Sequence, residues 1–266
     1  MEPSESAKWK TRTHSEFVEY YAQQSLSEVA ETRSRGLRDK LLRFQDGPRS
    51  PLNVADIGCN AGTQSRVWAE QGHYVYGVDI NEDLVRLARE RLQQADLKAA
   101  FHIASATSLP FADASMDVCI APELLEHVSE WQKCLHEFTR ILKPGGVLYI
   151  STTNRLCPKQ NEFDLPLYSW YPTRLKRRYE RLAVTTRPEL VNYAAYPAVN
   201  WFTYYQLRDH LKTLGMEVGD RFDHMEIGQN PLRRLALSAI QFSPTIRWIA
   251  HISSPSTSIF ARKPRT

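Results

Sequence analysis

Hydrophobic and polar positions follow a repeating order along the middle of the chain, with short apolar runs between longer amphipathic stretches. The apolar runs have the length of buried strands, and the amphipathic stretches have the period of helices. Predicted strands cover residues 52–57, 74–78, 99–103, 116–121 and 147–151, and predicted helices begin at Thr63 and cover 83–94 and 131–142. Strands that alternate with helices indicate a mainly parallel sheet covered by helices on both faces. The pattern therefore predicts an α/β fold.

The pattern changes on both sides of this core. Residues 10–45 have the spacing of a polar helix, which predicts a helical lid ahead of the core. Residues 154–200 form a long irregular segment rich in aromatics, prolines and arginines, and such insertions are more often functional than incidental. A helix over 203–214 and strands near 216–222 and 256–261 complete seven strands. The predicted regions are a lid (1–50), a cofactor-binding core (51–153), a substrate-side insertion (154–200) and a C-terminal completion of the core (201–266).

Composition narrows the class of protein only a little. The chain has 266 residues, of which 42% are hydrophobic, and this suits one catalytic domain with an elaborated substrate region. The net charge of +4 does not by itself require nucleic acid or a membrane as partner. With no recognisable RNA-binding module, nucleic acid ranks well below a small molecule as partner. The chain lacks a secretory pattern, a run of roughly 18 apolar residues and paired cysteine spacings, so we expect a cytoplasmic location and reduced thiols.

A glycine-containing turn follows the first predicted strand, in the order Asp56-Ile-Gly58-Cys-Asn-Ala-Gly62. Small residues there let the backbone approach a cofactor closely. An acidic residue, Asp79, ends the next strand about 20 residues later, where a carboxylate can accept hydrogen bonds from ribose hydroxyls. A nicotinamide cofactor would also fit these two features. The glycine spacing, however, differs from the dinucleotide pattern and offers less of a pyrophosphate cradle, so a nucleoside without phosphate is the better ligand.

Six ordered segments resemble the class I S-adenosylmethionine-dependent methyltransferase superfamily, in its type 11 group. They are residues 56–62, 77–79, 108–111, 116–118, 125–128 and 142–146. The resemblance implies a Rossmann-like, seven-stranded sheet, S-adenosylmethionine as cofactor with S-adenosylhomocysteine as product, and a small-molecule acceptor. The cofactor-binding residues that it implies are Arg38, Asp56, Gly58, Cys59, Asn60, Gly62, Asp79, Ile80, Ser105, Ala106, Thr107 and Pro122. Arg38 corresponds to an arginine that meets the cofactor carboxylate.

Two positions depart from the usual pattern of this superfamily. Asn60 stands where a glycine is usual, and Ser105 stands where an acidic residue commonly meets the adenine amine. Asparagine tolerates unusual backbone angles, and serine can still accept a hydrogen bond. We therefore expect weaker or rearranged cofactor binding, and a non-catalytic nucleoside-binding scaffold stays as an alternative.

The segment Glu123-Leu-Leu-Glu126-His127 is most similar to the O-methyltransferases of ubiquinone biosynthesis. The resemblance favours O-methylation of a phenolic, quinone-like or lipophilic acceptor, with a sugar, amine or RNA acceptor as the alternative. Transfer to a phenol oxygen needs a deprotonated nucleophile, and His127 is the first candidate for the base. Glu123, Glu126 and His127 could instead hold a divalent ion, a mixed set that suits manganese or zinc better than magnesium. In a third interpretation, the side chains of this segment only support the fold and take no part in catalysis.

Two further segments concern the acceptor and the surroundings. The insertion combines aromatics such as Trp170 with basic residues such as Arg174 and Lys176, which is typical either of a pocket cap or of a solvated basic helix. Residues 231–251 are apolar with interspersed arginines. Such a stretch is more often a buried helix or a dimer contact, and peripheral contact with a membrane is the alternative. The sequence leaves the oligomeric state open.

Overall fold

A seven-stranded sheet forms the centre of the protein. The computed structural model describes residues 27–45, 51–160, 162–191, 197–225 and 230–265. The strands are β1 (Asn53–Ile57), β2 (Tyr74–Asp79), β3 (Ala99–Ile103), β4 (Met116–Pro122), β5 (Leu142–Thr153), β6 (Glu217–Asp220) and β7 (Ser256–Arg262). Their order is β3-β2-β1-β4-β5-β7-β6, and every neighbouring pair is parallel except the two that β7 makes. The predicted fold class is confirmed.

Helices lie on both faces of this sheet. They are α1 (Glu28–Phe44), α2 (Thr63–Ala69), α3 (Glu82–Gln94), α4 (Trp131–Ile141), α5 (Thr173–Thr185), α6 (Tyr204–Thr213), α7 (Pro231–Phe242) and α8 (Pro244–Ile252), with short 3₁₀ turns at Leu125–His127, Tyr168–Trp170 and Pro188–Val191. The sequence starts α3 at Asn81, whose side chain accepts hydrogen bonds from the backbone N–H groups of Asp83 and Leu84. Of the helix predicted over residues 10–45, α1 is the described part, and residues 10–26 lie outside the described residues.

Two apolar clusters hold the helices against the sheet. On one face, Trp68 of α2 and Leu41 of α1 pack with the buried side of α3. On the other face, Phe138 of α4 and Leu207 of α6 pack against the opposite side of the central strands. All four side chains are fully buried. Burial on both faces explains why the parallel strands read as nearly continuous apolar runs in the sequence.

The insertion after β5 has a small apolar core of its own. Phe163 and Tyr168 stack with ring centroids 4.0 Å apart, and Ala183 of α5 packs against them. On α5 the arginines at positions 174, 177, 178 and 181 are exposed, whereas Lys176 is buried. The basic cluster in the sequence is therefore mainly a solvated helix face with one lysine turned inward.

Residues 231–252 form two consecutive helices, α7 and α8, that are largely exposed. Only Leu237 and His251 are buried among them. The expectation that this stretch is a buried helix of the chain is therefore wrong, because its apolar stripe faces outward. Among the helices that the structure describes, none combines the length and apolar character needed to cross a bilayer.

Candidate cofactor and acceptor site

The residues predicted from the motifs meet at one edge of the sheet. Strands β1 to β4 run parallel, so their carboxyl ends share this edge, with Ile57 opposite Val78 and Asp79 opposite Ile103. The glycine turn follows β1, Asp79 ends β2, residues 104–107 follow β3, and Pro122 ends β4. In open α/β sheets, ligands bind outside the carboxyl ends of the strands.

The turn after β1 depends on left-handed backbone angles. Gly58 and Gly62 have φ of 75° and 77°, and Asn60 has φ of 48°. A Cβ atom on Gly62 would lie 2.9 Å from Cβ of Ala88, so glycine there lets the start of α2 pack closely on α3. At Gly58 an added Cβ would lie 3.2 Å from Cδ1 of Leu124, which ties the turn to the segment after β4. Asn60 thus adopts the backbone conformation that glycine usually supplies, as its tolerance of such angles predicts.

Asp79 has the geometry expected of a ribose ligand. Its Oδ2 accepts a hydrogen bond from the backbone N–H of Asn60 at 3.0 Å, and its Oδ1 accepts one from the N–H of Asn81 at 2.9 Å. A carboxylate oxygen can accept two hydrogen bonds, so both oxygens keep capacity for hydroxyl donors. Burial raises the pKa of Asp79 above its ordinary value, and the two N–H donors oppose that shift.

Two of the predicted cofactor contacts lie beneath the turn. Asp56 is buried and accepts a 2.6 Å hydrogen bond from the hydroxyl of Ser65 on α2. Burial raises its pKa to about 6, and the charge of Asp79 contributes. The thiol of Cys59 is also buried, against Gly77. These two side chains therefore shape the turn from below and leave its backbone to face a ligand.

The region after β3 offers the features that an adenine needs. The hydroxyls of Ser105 and Thr107 are 2.8 Å apart at the surface, where each has further hydrogen-bonding capacity. The side chain of Ile80 is 61% exposed next to Asp79, and Ala106 is buried. An exposed apolar side chain beside polar hydroxyls suits a flat base with an apolar face and a hydrogen-bonding edge. The residues present therefore fit an adenosine.

Arg38 is buried beside the helix that follows the glycine turn. Its guanidinium donates hydrogen bonds to Asp39 and to the carbonyl of Val67. Burial and the charge of Arg38 lower the pKa of His73, a residue just before the amino end of β2. The contact of Arg38 with the cofactor carboxylate stays a prediction.

Three carboxyl groups come together after β4. One oxygen each of Glu123, Glu126 and Glu162 lies within 4.8 Å of the others. Glu123 has a left-handed backbone, with φ of 49°, and its Oε1 accepts a 2.6 Å hydrogen bond from the hydroxyl of Ser151. Glu126 is fully buried, and its Oε1 has no hydrogen-bond partner among the described residues. The structure thus groups Glu123 and Glu126 with Glu162, and His127 is not a member of this carboxylate cluster.

Sequence reasoning missed Glu162, which comes from the insertion. The side chain of Gln160 orders this stretch by accepting hydrogen bonds from the N–H groups of Glu162 and Phe163, at 2.7 and 2.8 Å. The segment has no helical or strand period that could indicate which way its side chains point. The only available signal was an acidic residue in a segment otherwise rich in basic ones.

Burial dominates the electrostatics of the carboxylate cluster. It raises the pKa of Glu126 well above its ordinary value, and the nearby charges of Glu123 and Glu162 add to the shift. Burial also raises the pKa of Glu162 to about 7, with a contribution from Glu123. The neutral form of Glu126 is therefore favoured, and near neutral pH Glu162 can either bind or release a proton. A group that titrates near the working pH is suited to general acid–base chemistry.

Two cavities have Arg155 in their walls. A pocket of about 230 Å³ is lined by Lys176, Arg177, Tyr171 and Trp201 among others. It also includes Val199 and Asn200, whose backbone N–H groups donate to the carbonyl of Glu126 at 2.8 and 3.0 Å. The second cavity, about 410 Å³, is apolar and lined by Leu156, Trp170, Thr203, Trp248 and Ile252. An acceptor could therefore have charged and apolar parts.

Lys176 is the buried cation of the smaller pocket. Its Nζ donates a 2.8 Å hydrogen bond to the carbonyl of Ser169 and lies 4.3 Å from the ring centroid of Trp201. Burial lowers its pKa to about 8, and the charge of Arg155 contributes. The pocket is suited to an anionic group beside an aromatic wall.

Comparisons with known proteins agree with the motifs. Residues 55–150 match the family described as a methyltransferase domain. A ubiquinone biosynthesis O-methyltransferase of Coxiella burnetii is 34% identical over 103 residues, which are 39% of this chain and 44% of that protein. One of Sinorhizobium fredii is 27% identical over 197 residues, 70% of each chain. A malonyl-[acyl-carrier protein] O-methyltransferase of Erwinia pyrifoliae is 38% identical over 105 residues, 40% of this chain and 38% of that protein. The chain thus matches less than half the length of the Coxiella and Erwinia relatives.

Solved structures show the same fold at low identity. A S-adenosylmethionine-dependent methyltransferase of Methanosarcina mazei has a TM-score of 0.55 and 21% identity, over 85% of this chain and 97% of that one. The [4+2]-cyclase SpnF has a TM-score of 0.55 and 19% identity, over 89% of this chain and 82% of that one. The chain therefore has a fold that S-adenosylmethionine-dependent methyltransferases also have. Because a cyclase shares the fold, the fold alone does not decide the reaction.

Proposed function

We propose that this chain is an S-adenosylmethionine-dependent O-methyltransferase that acts on a phenolic or catechol-like hydroxyl of a lipophilic small molecule. The observation that carries the proposal is the cluster of Glu123, Glu126 and Glu162, in which Glu123 and Glu126 flank the Leu124 that packs on Gly58 of the glycine turn. Methyl transfer to a hydroxyl oxygen needs a proton acceptor at the nucleophile. The names of the ubiquinone biosynthesis relatives support the same acceptor class.

Each residue has a defined task in this proposal. S-adenosylmethionine, when bound, supplies a methyl group on a positively charged sulfur and leaves as S-adenosylhomocysteine. Asp79 holds the ribose hydroxyls, and Ser105 meets the adenine edge. Glu162 takes the proton from the acceptor hydroxyl, so that the oxygen attacks the methyl carbon as a phenolate. With a pKa of about 7, Glu162 is matched to a phenol better than to a sugar hydroxyl, which is far less acidic.

A divalent ion is compatible with the same carboxylate cluster. The unpartnered Oε1 of the buried Glu126 is the observation that fits one. Glu123, Glu126 and Glu162 would hold the ion, and it would lower the pKa of the acceptor hydroxyl. Since the set contains only oxygen donors, it suits magnesium or manganese better than zinc.

The test is an assay of S-adenosylhomocysteine release by the full chain with a panel of alkylated phenols, aliphatic alcohols and amines. We expect turnover with phenols, a loss of about a hundredfold in Glu162→Gln, and no change in the matched variant Glu189→Gln, whose side chain is exposed. The same assay with a chelator added shows whether a divalent ion takes part. Cofactor binding without turnover on any hydroxyl acceptor would contradict the proposal.

A carboxylate is the second candidate acceptor. It is favoured by the pocket around Lys176, Arg155 and Arg177, and the name of the Erwinia relative refers to O-methylation of a malonyl group. A carboxylate is already ionised at neutral pH and needs no base. Carboxylate methylation would therefore survive Glu162→Gln, whereas Lys176→Met would raise KM for the acceptor. Loss of activity in Glu162→Gln with an unchanged KM in Lys176→Met supports the phenolic acceptor.

A further inference from the structure

The exposed stripe on α7 and α8 is continuous and apolar. Leu232, Leu235 and Phe242 lie three and seven positions apart, which puts them on one face of α7. Their side chains are 75%, 70% and 87% exposed. Ile246, Trp248 and Ile249 extend the stripe on α8 and are also exposed. A large exposed apolar patch on a folded protein marks an interaction surface.

The charged side chains that α7 and α8 themselves carry are arginines, and one of them, Arg247, is paired with Asp220 and Asp223. Residues 230–255 contain no aspartate or glutamate. Arg233 and Arg234 are exposed, and within the described part of the chain neither side chain makes a hydrogen bond or an ion pair. Helices that carry exposed apolar side chains next to arginines are typical of segments that lie in the interface of an anionic bilayer.

The helix pair is held firmly on the rest of the protein, which a docking surface requires. Arg247 and His251 of α8 both contact Oδ2 of Asp220 at 2.8 Å, and Asp220 ends β6. The side chain of Gln241 donates to the carbonyl of Phe222 at 2.8 Å. The outward direction of the stripe is therefore set by the core and does not result from a detached helix.

We propose that α7 and α8 dock this protein onto the surface of an anionic phospholipid bilayer. Leu235, Phe242 and Ile249 would enter the acyl region, and Arg233 and Arg234 would contact lipid phosphates. Trp248 and Ile252 of α8 also line the 410 Å³ apolar cavity, so docking would bring this cavity next to the bilayer. A second copy of the chain is a poorer occupant, because an isologous contact would bring the unpaired arginines of both copies together. The proposed surface does not depend on which acceptor is methylated.

Flotation of the full chain with vesicles tests this proposal. We expect it to float with phosphatidylcholine vesicles that contain phosphatidylglycerol, and much less with phosphatidylcholine alone. The pair Leu235→Ser and Phe242→Ser should reduce binding about tenfold or more. The pair Arg233→Gln and Arg234→Gln should reduce it by a similar factor on anionic vesicles only. Val184→Ser, an exposed apolar position on α5, is the matched control and should bind normally.

Thermal unfolding of each variant checks that the fold is intact, which we expect because the substituted side chains are exposed. Sedimentation velocity without vesicles tests whether the stripe is instead a contact between two copies of the chain. A dimer that the Leu235→Ser and Phe242→Ser pair dissociates, or an absence of flotation with the vesicles that contain phosphatidylglycerol, would overturn the proposal. Loss of tryptophan quenching by brominated lipid in Trp248→Phe would support it.

Discussion

Thr152, near the carboxyl end of β5, donates its hydroxyl hydrogen to Oε2 of the buried Glu126 at 2.8 Å, while Oε1 of the same carboxyl group has no hydrogen-bond partner among the described residues. A buried charge left half-satisfied would be costly, so the neutral form is favoured. The pKa of Glu126 is accordingly raised. This relationship leads to a prediction about stability.

Glu126→Gln should preserve the fold and change the pH dependence of unfolding. A carboxyl group with a pKa higher in the folded state than in the unfolded state stabilises the protein fully at low pH and loses that contribution as pH rises above 4.5. Glutamine cannot lose a proton, so the variant should gain stability relative to the native chain between pH 5 and pH 8. Urea unfolding at both pH values measures the difference. Equal differences at the two values would contradict a buried neutral Glu126.

The rate of phenol methylation should rise with pH through about 7 and then level off. Glu162 has a pKa of about 7 and must be deprotonated to accept the hydroxyl proton. In Glu162→Gln this rise should vanish together with most of the activity. The kcat profile of both proteins between pH 5.5 and 8.5 provides the measurement. A rise that persists in Glu162→Gln would assign the titration to another group.

Asp79→Ala should weaken binding of S-adenosylhomocysteine by about 10- to 100-fold, the usual range for hydrogen bonds to a charged group. The carboxylate is held by the N–H groups of Asn60 and Asn81, so the turn should also lose order. Calorimetric titration measures the affinity, and Glu90→Gln on the exposed side of α3 is the control. Unchanged affinity in Asp79→Ala would remove the ribose assignment.

Gly62→Ala should destabilise the protein by about 2–3 kcal/mol. The added methyl group would lie 2.9 Å from Cβ of Ala88 and would occupy a backbone with φ of 77°. Gly72→Ala is a close control, because its φ is 79° and no atom lies within 4 Å of the added Cβ. It should cost about 1 kcal/mol, from the backbone alone. Similar losses in the two variants, measured by denaturant unfolding, would show that packing on α3 is unimportant.

Asp220→Ala should destabilise the protein by about 3–5 kcal/mol, because it leaves Arg247 and His251 without their shared acceptor. Burial alone would raise the pKa of Asp220, but the hydrogen bonds from His251 and Arg247 lower it to about 2. The contacts of the Asp220 carboxylate with Arg247 and His251 therefore stabilise the protein above about pH 4, and this contribution is lost as pH falls toward 2. Thermal unfolding of Asp220→Ala and of Asp223→Ala, which removes an exposed carboxylate, tests the anchor of α8, and we expect a smaller loss in the second variant.

Sequence reasoning located the cofactor edge because that edge depends on local signals. An apolar run followed by small residues or by an acid marks the carboxyl end of a buried parallel strand, and such ends share an edge whatever the details of packing. Asp79 and the glycine turn were placed in this way. Local signals do not single out a base in the same way. His127 was the first candidate from the motif and stays a prediction, whereas the base that we propose, Glu162, became visible only through its position beside Glu123 and Glu126.

The sequence by itself determined the order of strands and helices, the seven-stranded α/β fold and the position of the glycine turn, since periodicity and turn chemistry act over a few residues. Only the tertiary structure decided that Glu162 joins Glu123 and Glu126, that Arg38 is paired with Asp39 and Val67, and that α7 and α8 face outward. These outcomes depend on the path of an irregular segment and on the rotation of helices about their axes. Both are set by contacts between distant parts of the chain, which no local pattern records.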